Sequence, residues 1–218
     1  VAKSPPDGYT FLVTLHSQLA QAPVLLKKPP IDPDTDLVPI GVISTGRGVM
    51  VARKDLPARD FGEVIELARK RPVTVGNYSI GSGWQLMMAE VAKQTGAEFT
   101  ILNYRGTGLM IGDLAGSQID IGAGSLAGFG PLIDSGAVRP MMIISGGGRT
   151  PRYPELKIWE DFGLKGDAFT ALQEANMLLG PAGLPQPIVD RLSALYVEAV
   201  GKSARVQALR HTLVADDK

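Results

Sequence analysis

One junction, the stretch from Val73 to Trp84, constrains the fold of this chain more than any other. An apolar, β-branched run at Val73 and Val75 leads into a glycine-rich polar loop, and a helical pattern begins at Trp84. The loop contributes Gly76, Asn77, Ser79, Gly81, Ser82 and Gly83. A strand that passes through such a loop into a helix presents unpaired backbone N–H groups at the positive end of the helix dipole. The junction therefore predicts an α/β unit that can hold an anion such as a carboxylate.

Strand-like and helix-like segments alternate along the rest of the chain. Segments 11–15 and 99–104 have the apolar, β-branched character of strands. Asp60 can cap a helix with apolar positions at Phe61, Val64, Ile65 and Ala68. This alternation predicts α/β architecture with mostly parallel sheets. Three glycines and two prolines in 146–154 indicate a loop or an inter-domain crossing.

The composition removes several classes of function. Lys and Arg number 22 and so do Asp and Glu, so no global field favours nucleic acid. Cysteine is absent and His16 and His211 are the two histidines, which argues against thiol chemistry, a His-based triad and a zinc site. No run approaches the ~20 consecutive apolar residues of a membrane span. We therefore expect no metal, no cofactor and no nucleic-acid partner.

Five segments, each a weak motif alone, occur in one order and spacing that resembles a known family. They are Asp7–Leu12, Ile31–Ile40, Asn103–Gly108, Asp113–Asp120 and Leu179–Pro185. Together they are similar to the substrate-binding proteins of tripartite tricarboxylate transporters, the Bug or TctC-like family. The resemblance covers nearly the whole chain.

This resemblance implies a periplasmic-binding-protein fold of type II, in which two α/β lobes close over a ligand like a Venus flytrap. The first lobe would comprise 1–52 and 148–218, and the second 53–147. The implied function is capture of a small organic carboxylate in the periplasm and delivery to membrane permease subunits. We expect a monomer and no enzymatic activity. The family pattern begins ahead of Val1 and continues past Lys218, so the sequence resembles a fragment whose cleft would lack one wall.

The second-lobe candidates for ligand contact are the polar and glycine residues of the junction. They are Asn77, Ser79, Gly81, Ser82 and Gly83. The alternative is an ordinary glycine-rich turn in which Ser82 caps the helix. The family often has a hydroxyl residue and a histidine just after the glycines, where this chain has Trp84-Gln-Leu-Met. Trp84 could stack on a flat ligand or lie in the core.

Further candidates follow the other strands. In the first lobe, His16 and Ser17 match a family loop after strand 11–15, with a solvent-facing loop histidine and a plain N-cap as the alternatives. After the strand at 99–104 come Tyr104, Gly106 and Thr107, whose neighbour Arg105 could pair with a carboxylate or lie on the surface. Asp120, placed within an apolar strand, would contact ligand or pair with loop amides. Ser125 ends the same strand.

Two competing functions share these features. A ligand-sensing receptor of the same fold would act in signalling rather than in transport. A small-molecule α/β enzyme is less well supported, because Gly-x-Ser-x-Gly and Walker A sequences are absent. The spacing of Gly106, Gly108 and Gly112 is one residue too long for the dinucleotide fingerprint.

Overall fold

The computed structural model describes residues 1–145, 148–170 and 175–202. The chain folds into two compact units. Of the described residues, 1–45 and 175–202 form the first unit, and the others form the second. Both units combine strands and helices, which confirms the predicted α/β class. Among the described helices, none is long and apolar enough to cross a membrane.

Strands and helices alternate as the sequence predicts. The strands are β1 (Leu12–Leu15), β2 (Leu37–Thr45), β3 (Gly48–Arg53), β4 (Val73–Asn77), β5 (Phe99–Asn103), β6 (Ile121–Ser125), β7 (Val138–Ser145) and β8 (Ala175–Pro181). The α-helices are α1 (His16–Leu25), α2 (Pro33–Asp36), α3 (Phe61–Ala68), α4 (Gly83–Thr95), α5 (Thr107–Ala115), α6 (Leu126–Asp134), α7 (Asp167–Thr170) and α8 (Gln186–Lys202). A 3₁₀ turn covers Trp159–Phe162.

The first unit contains a three-stranded sheet in the order β1-β8-β2. Strand β8 lies in the middle and is antiparallel to both neighbours, with Leu179 opposite Leu12 on one side and Pro39 on the other. Ile40, Leu184 and Val189 are buried together, so α8 packs on this sheet.

The second unit contains a five-stranded sheet in the order β5-β4-β6-β3-β7. Strand β4 is parallel to β5 and to β6, whereas β3 is antiparallel to both β6 and β7. Helix α6 carries the chain across β3, which leaves β6 and β7 pointing the same way. The sheet is therefore mixed.

The prediction of mostly parallel sheets was wrong. Two neighbouring parallel strands must be joined by a long crossover connection, usually a helix. Strand–helix alternation therefore produces parallel neighbours only when both strands enter the same sheet next to each other. Strand β3 follows β2 after only Gly46 and Arg47 and enters the second sheet without a crossover helix. Strand β8 enters the first sheet between β1 and β2 after the chain has passed through the second unit.

Local signals in the sequence predict the start of α3 and the end of α4 correctly, whereas α5 and α6 begin two and three residues earlier than predicted. Asp60 caps α3 by accepting the N–H of Glu63 at 3.1 Å. The four apolar positions predicted for α3 are its buried residues. Gly96 ends α4 in the left-handed region at φ 70°, where glycine carries no Cβ penalty.

Helices cover both faces of the second sheet because side chains alternate along each strand. On one face Met50 and Ala52 of β3 join a core with α3 and α4. On the other face Val49 and Val51 join a core with α5 and α6. The second unit is thus a three-layer α/β/α arrangement.

Other sequence predictions fared unevenly. The one-turn segments α2 and α7 and the 3₁₀ turn are too short to show periodicity and were not predicted. The strand predicted for 171–179 begins at Ala175, and its first four residues lie outside the described residues. The helix predicted from Ser203 also lies outside them. The predicted lobe boundaries stay a prediction.

Candidate functional site

Three parallel strands of the second unit end at one edge of the sheet, and a helix begins after each. Strands β5, β4 and β6 are neighbours in that order and lead into α5, α4 and α6. The connection from β4 runs to β5 on one side, whereas the connection from its neighbour β6 runs across β3 to β7 on the other side. This is a topological switch point, where ligands of α/β sheets bind. The edge brings together the predicted loops of Asn77, Tyr104 and Ser125.

The Asn77 side chain is the centre of the β4–α4 loop. It is fully buried, and its Oδ1 accepts a hydrogen bond from Ser82 Oγ at 2.6 Å. Its Nδ2 donates to the Ser79 carbonyl and to Asn103 Oδ1, both at 2.7 Å, and lies 3.2 Å from Gln85 Oε1. An amide nitrogen has two hydrogens, so these contacts use its full capacity. Asn77 thus positions its neighbours.

Ser82 is the N-cap of α4. Its hydroxyl accepts the N–H of Gln85 at 3.2 Å while donating to Asn77, and the residue has no exposed surface. The Ser82 hydroxyl therefore caps α4, which is the alternative to ligand contact that the sequence suggested. Ser79, a little further out, places its hydroxyl 3.3 Å from the Ile80 carbonyl.

Two backbone donors at the start of α4 have no acceptor. Within the described part of the chain, nothing accepts the N–H of Gly83 or of Trp84, although both residues are buried. The N–H of Gly81 is already used, since it donates to Gln85 Oε1 at 2.9 Å. Unpaired N–H groups at a helix N-terminus attract an anion through their partial positive charge.

Trp84 belongs to the core, as one of its two interpretations predicted. The side chain is 1% exposed, and its Nε1–H donates to the Gly76 carbonyl at 3.0 Å. The indole thereby fixes α4 against β4, and no face of it is free to stack on a ligand.

The β5–α5 loop is joined to the β4–α4 loop by backbone hydrogen bonds. Tyr104 N–H donates to the Asn77 carbonyl at 2.8 Å, and Gly106 N–H donates to the Tyr78 carbonyl at 2.9 Å. Gly106 is the N-cap of α5 at φ 100°, a conformation that glycine adopts readily, and it supplies no capping side chain. Thr107 begins the helix, and no described residue bonds its hydroxyl.

The Tyr104 hydroxyl is occupied by a hydrogen bond to a side chain of α5. It donates to Asp113 Oδ2 at 2.7 Å. Burial, together with this hydrogen bond and the nearby negative charge, raises the pKa of Tyr104 to about 12. Arg105 beside it is exposed and pairs with no acidic group in the described part of the chain.

Glycines let α5 approach this edge of the sheet. A Cβ added at Gly76 would meet Met110 at 2.6 Å, and one added at Gly124 would meet Phe129 at 2.9 Å and Thr107 Cγ2 at 3.1 Å. Thr107 therefore lies directly beside the end of β6. The next residue, Ser125, is exposed and caps α6 by accepting the N–H of Gly128 at 3.1 Å.

The structure does not bring Asp120 to this edge. Asp120 precedes β6 and bonds Thr74, three residues before Asn77, which corresponds to about 10 Å along a strand. Its carboxylate accepts from Arg53 at 3.0 Å and from Arg71 at 2.9 Å. Burial opposes its ionisation, but bonds from Arg71, the Thr74 N–H and Arg53 lower the pKa of Asp120 to about 2. These contacts favour the structural alternative.

His16 and Ser17 lie in the first unit, at the start of α1 rather than in a loop. The loop expected there is not present, because β1 passes into α1 without an intervening residue. His16 Nδ1 accepts the N–H of Ala175 at 3.1 Å, and Ser17 is buried. Because its ring bonds the backbone of β8, His16 is not the solvent-facing loop histidine considered as the alternative.

Two residues of the site were missed as candidates, Gln85 and Asn103. Asn103 stands opposite Asn77 in the parallel register, and each lies within one residue of the end of a predicted strand, which was a usable signal. Gln85 has no such signal, because its contact with Gly81 depends on the loop turning back over α4. The described residues contain no group of three His, Asp or Glu side chains able to hold a metal.

Two α/β units, one of them with helix N-termini gathered at a switch point, have the architecture of periplasmic binding proteins. The periplasmic binding protein BugD matches with a TM-score of 0.86 at 27% identity, over 98% of this chain and 70% of that one. R. palustris Rpa4515, solved with adipate, matches with a TM-score of 0.84 at 28% identity, over 98% and 71% of the two chains. These matches confirm the predicted fold.

The family follows from the sequence comparisons. Residues 1–216 match the family model TctC, the tripartite tricarboxylate transporter family receptor, and the chain belongs to this family. The "UPF0065 protein in tcbD-tcbE intergenic region" of Pseudomonas sp. (strain P51) is 29% identical over 213 residues. That alignment covers 96% of this chain and 62% of the relative, so the chain spans less than two thirds of that protein's length.

Proposed function

We propose that this protein is a periplasmic solute-binding protein that captures a small organic carboxylate and delivers it to the membrane permease of a tripartite tricarboxylate transporter. The observation that carries the proposal is the pair of backbone N–H groups at Gly83 and Trp84, at the N-terminus of α4, from which no described residue accepts a hydrogen bond. Membership of the TctC family and the adipate in the related Rpa4515 structure support a carboxylate as the ligand.

In this proposal backbone amides and small hydroxyls, rather than a cluster of charges, hold the carboxylate. The N-terminus of α4 supplies two N–H donors, and the first turn of α5 supplies the Thr107 hydroxyl. Hydrogen bonds to a charged group contribute about 1.5–3 kcal/mol each, so three such donors provide a substantial part of the roughly 8 kcal/mol that micromolar affinity requires. Arg105 is available as an additional cationic partner at the rim.

For the first unit, we propose that His16 and Ser17 at the start of α1 contact the ligand. Asn77 and Ser82 support the site from behind, since their side chains are fully bonded within the second unit. Binding without chemistry suits this arrangement, because none of the groups at the edge is an activated nucleophile or base.

Calorimetric titration of the intact protein with adipate, malate, citrate, hexanoate and glutamate tests the proposal. We expect saturable 1:1 binding of at least one of the carboxylates that lack an amino group. A ligand at 100 times its dissociation constant should also add about 2.7 kcal/mol of stability. Absence of binding to every compound in this panel would contradict the carboxylate assignment.

A further inference from the structure

The side-chain amide of Gln85 has an orientation that the backbone determines. A backbone N–H can only donate, so the atom 2.9 Å from Gly81 N must be the oxygen of the Gln85 amide. The other arm of this planar group is therefore the NH₂. Within the described residues, nothing accepts a hydrogen bond from it.

Asn103 is oriented by the same logic in two steps. A carbonyl can only accept, so the atom 2.7 Å from the Ser79 oxygen must be the Asn77 nitrogen. Because this nitrogen donates, the Asn103 atom 2.7 Å from it must be an oxygen. The NH₂ of Asn103 then points away from Asn77, and no described residue accepts from it either.

Both NH₂ groups lie next to the candidate carboxylate site. Gln85 is in the first turn of α4, three residues after its N-cap Ser82, and is half-buried. Asn103 ends β5 and is exposed. Its Oδ1 and the Gln85 Oε1 both face the same donor, the Asn77 side-chain nitrogen. The buried Asn77 thereby orients both neighbouring amides in the same way: their oxygens point toward Asn77 and their NH₂ groups point away from it.

We propose that Gln85 and Asn103 are specificity-determining residues, whose NH₂ groups bind a second oxygen acceptor of the ligand, separate from the carboxylate that α4 holds. The inference rests on the proposed function. It assigns a ligand class: organic acids that carry a second carboxylate or another acceptor oxygen, rather than acids whose remaining part is purely aliphatic. An apolar chain at this position would leave both donors without partners, which disfavours its binding.

The decisive variant is Gln85→Glu. Its carboxylate keeps an oxygen for Gly81 N–H and for Asn77, and an acidic residue three positions after Ser82 suits a helix start, so the fold is retained. The variant replaces the NH₂ donor by a negatively charged acceptor. We expect the adipate-to-hexanoate affinity ratio to fall at least tenfold; hexanoate has the same chain length and one carboxylate, and it loses affinity only through repulsion between that carboxylate and the new charge. Asn103→Asp should shift the ratio in the same direction.

Leu86→Glu is the matched control. Leu86 is exposed on α4, so this change adds the same charge one residue further along without touching the amide pair. Affinities should be measured in 0.3 M salt, which screens charges that are not in contact. We expect Leu86→Glu to change the adipate-to-hexanoate ratio less than twofold.

The outcomes separate the two proposals. A wild-type protein that binds none of the five compounds of the panel contradicts the proposed function and this inference with it. Binding of adipate with an unchanged ratio in Gln85→Glu contradicts only the role of the amides. An equal loss in Leu86→Glu does the same, since it would trace the effect to charge alone. In the wild type, the Gln85 side-chain ¹⁵N–¹H signals should shift with adipate and move less with hexanoate.

Discussion

Asn77 and Asn103 stand opposite each other in the last row of the parallel β4–β5 pair, and the Asn77 amide donates to the Asn103 amide at 2.7 Å. Parallel register brings the ends of two strands to one edge, so a side chain at each end can reach the other. The same Asn77 nitrogen bonds the Ser79 carbonyl, which ties the β4–α4 loop to the β5–α5 loop.

Replacing Ser82 by alanine should destabilise the second unit by about 1–2 kcal/mol, because it removes the α4 cap and leaves Asn77 Oδ1 without its donor. Urea unfolding followed by circular dichroism measures the change. Ser135→Ala is the control, since that hydroxyl is exposed and bonds only the Leu132 carbonyl. Equal stabilities of the two variants would contradict the capping role.

Asp120→Asn should cost about 2–4 kcal/mol of unfolding free energy, because Arg53 and Arg71 would lose the carboxylate that pairs with both. Glu66→Gln removes one partner of an exposed pair with Arg69 and should cost less than about 0.5 kcal/mol. Chemical denaturation at neutral pH compares the two. A loss no larger in Asp120→Asn than in Glu66→Gln would show that the buried pair contributes little.

The same carboxylate predicts a dependence of stability on pH. The pKa of Asp120 is about 2 in the folded protein against an ordinary 3.8, so the unfolded state binds a proton first as the pH falls. Its contribution of about 2 kcal/mol is present above about pH 5 and disappears as the pH approaches about 2. Asp120→Asn should therefore lose less stability than wild type between these values. Parallel slopes for the two proteins would refute this.

Gly76→Ala should destabilise the protein by about 1–3 kcal/mol, because the new methyl group would lie 2.6 Å from Met110 and 2.7 Å from Ile119 in a packed core. Gly112→Ala is the matched control within α5. A methyl group there meets nothing within 4 Å, and alanine favours a helix by up to about 1 kcal/mol. Thermal unfolding of the two variants should shift in opposite directions, and a shift in the same direction counts against the packing role of Gly76.

Thr107→Val should weaken carboxylate binding by about 1–3 kcal/mol, since it keeps the methyl group next to Gly124 and loses the hydroxyl donor. Thr107→Ser keeps the donor and should retain most of the affinity. Calorimetric titration with the best ligand of the panel measures both. If the valine variant binds as tightly as the serine variant, the hydroxyl does not contact the ligand.

Much of the fold was predictable because its signals are local. The Asp60 cap, the apolar spacing of α3 and the glycine at the end of α4 each depend on residues within one or two turns, and all three were confirmed. The direction of β3 was not predictable in this way. It depends on which sheet the strand joins, and no local pattern encodes that.

The candidate site likewise has features that follow from local sequence signals and features that depend on tertiary contacts. The sequence by itself determined that a glycine-rich loop joins β4 to α4 and that Ser82 can cap the helix that follows, because capping and turn chemistry act over a few residues. Only the tertiary structure decided which polar groups are occupied and which are available. It used Asn77 and Ser82 as internal supports, turned the oxygens of Gln85 and Asn103 inward, and placed Asp120 at the opposite end of its strand. Each of these outcomes depends on partners that lie on other elements of the fold, and it is the packing of those elements that sets them.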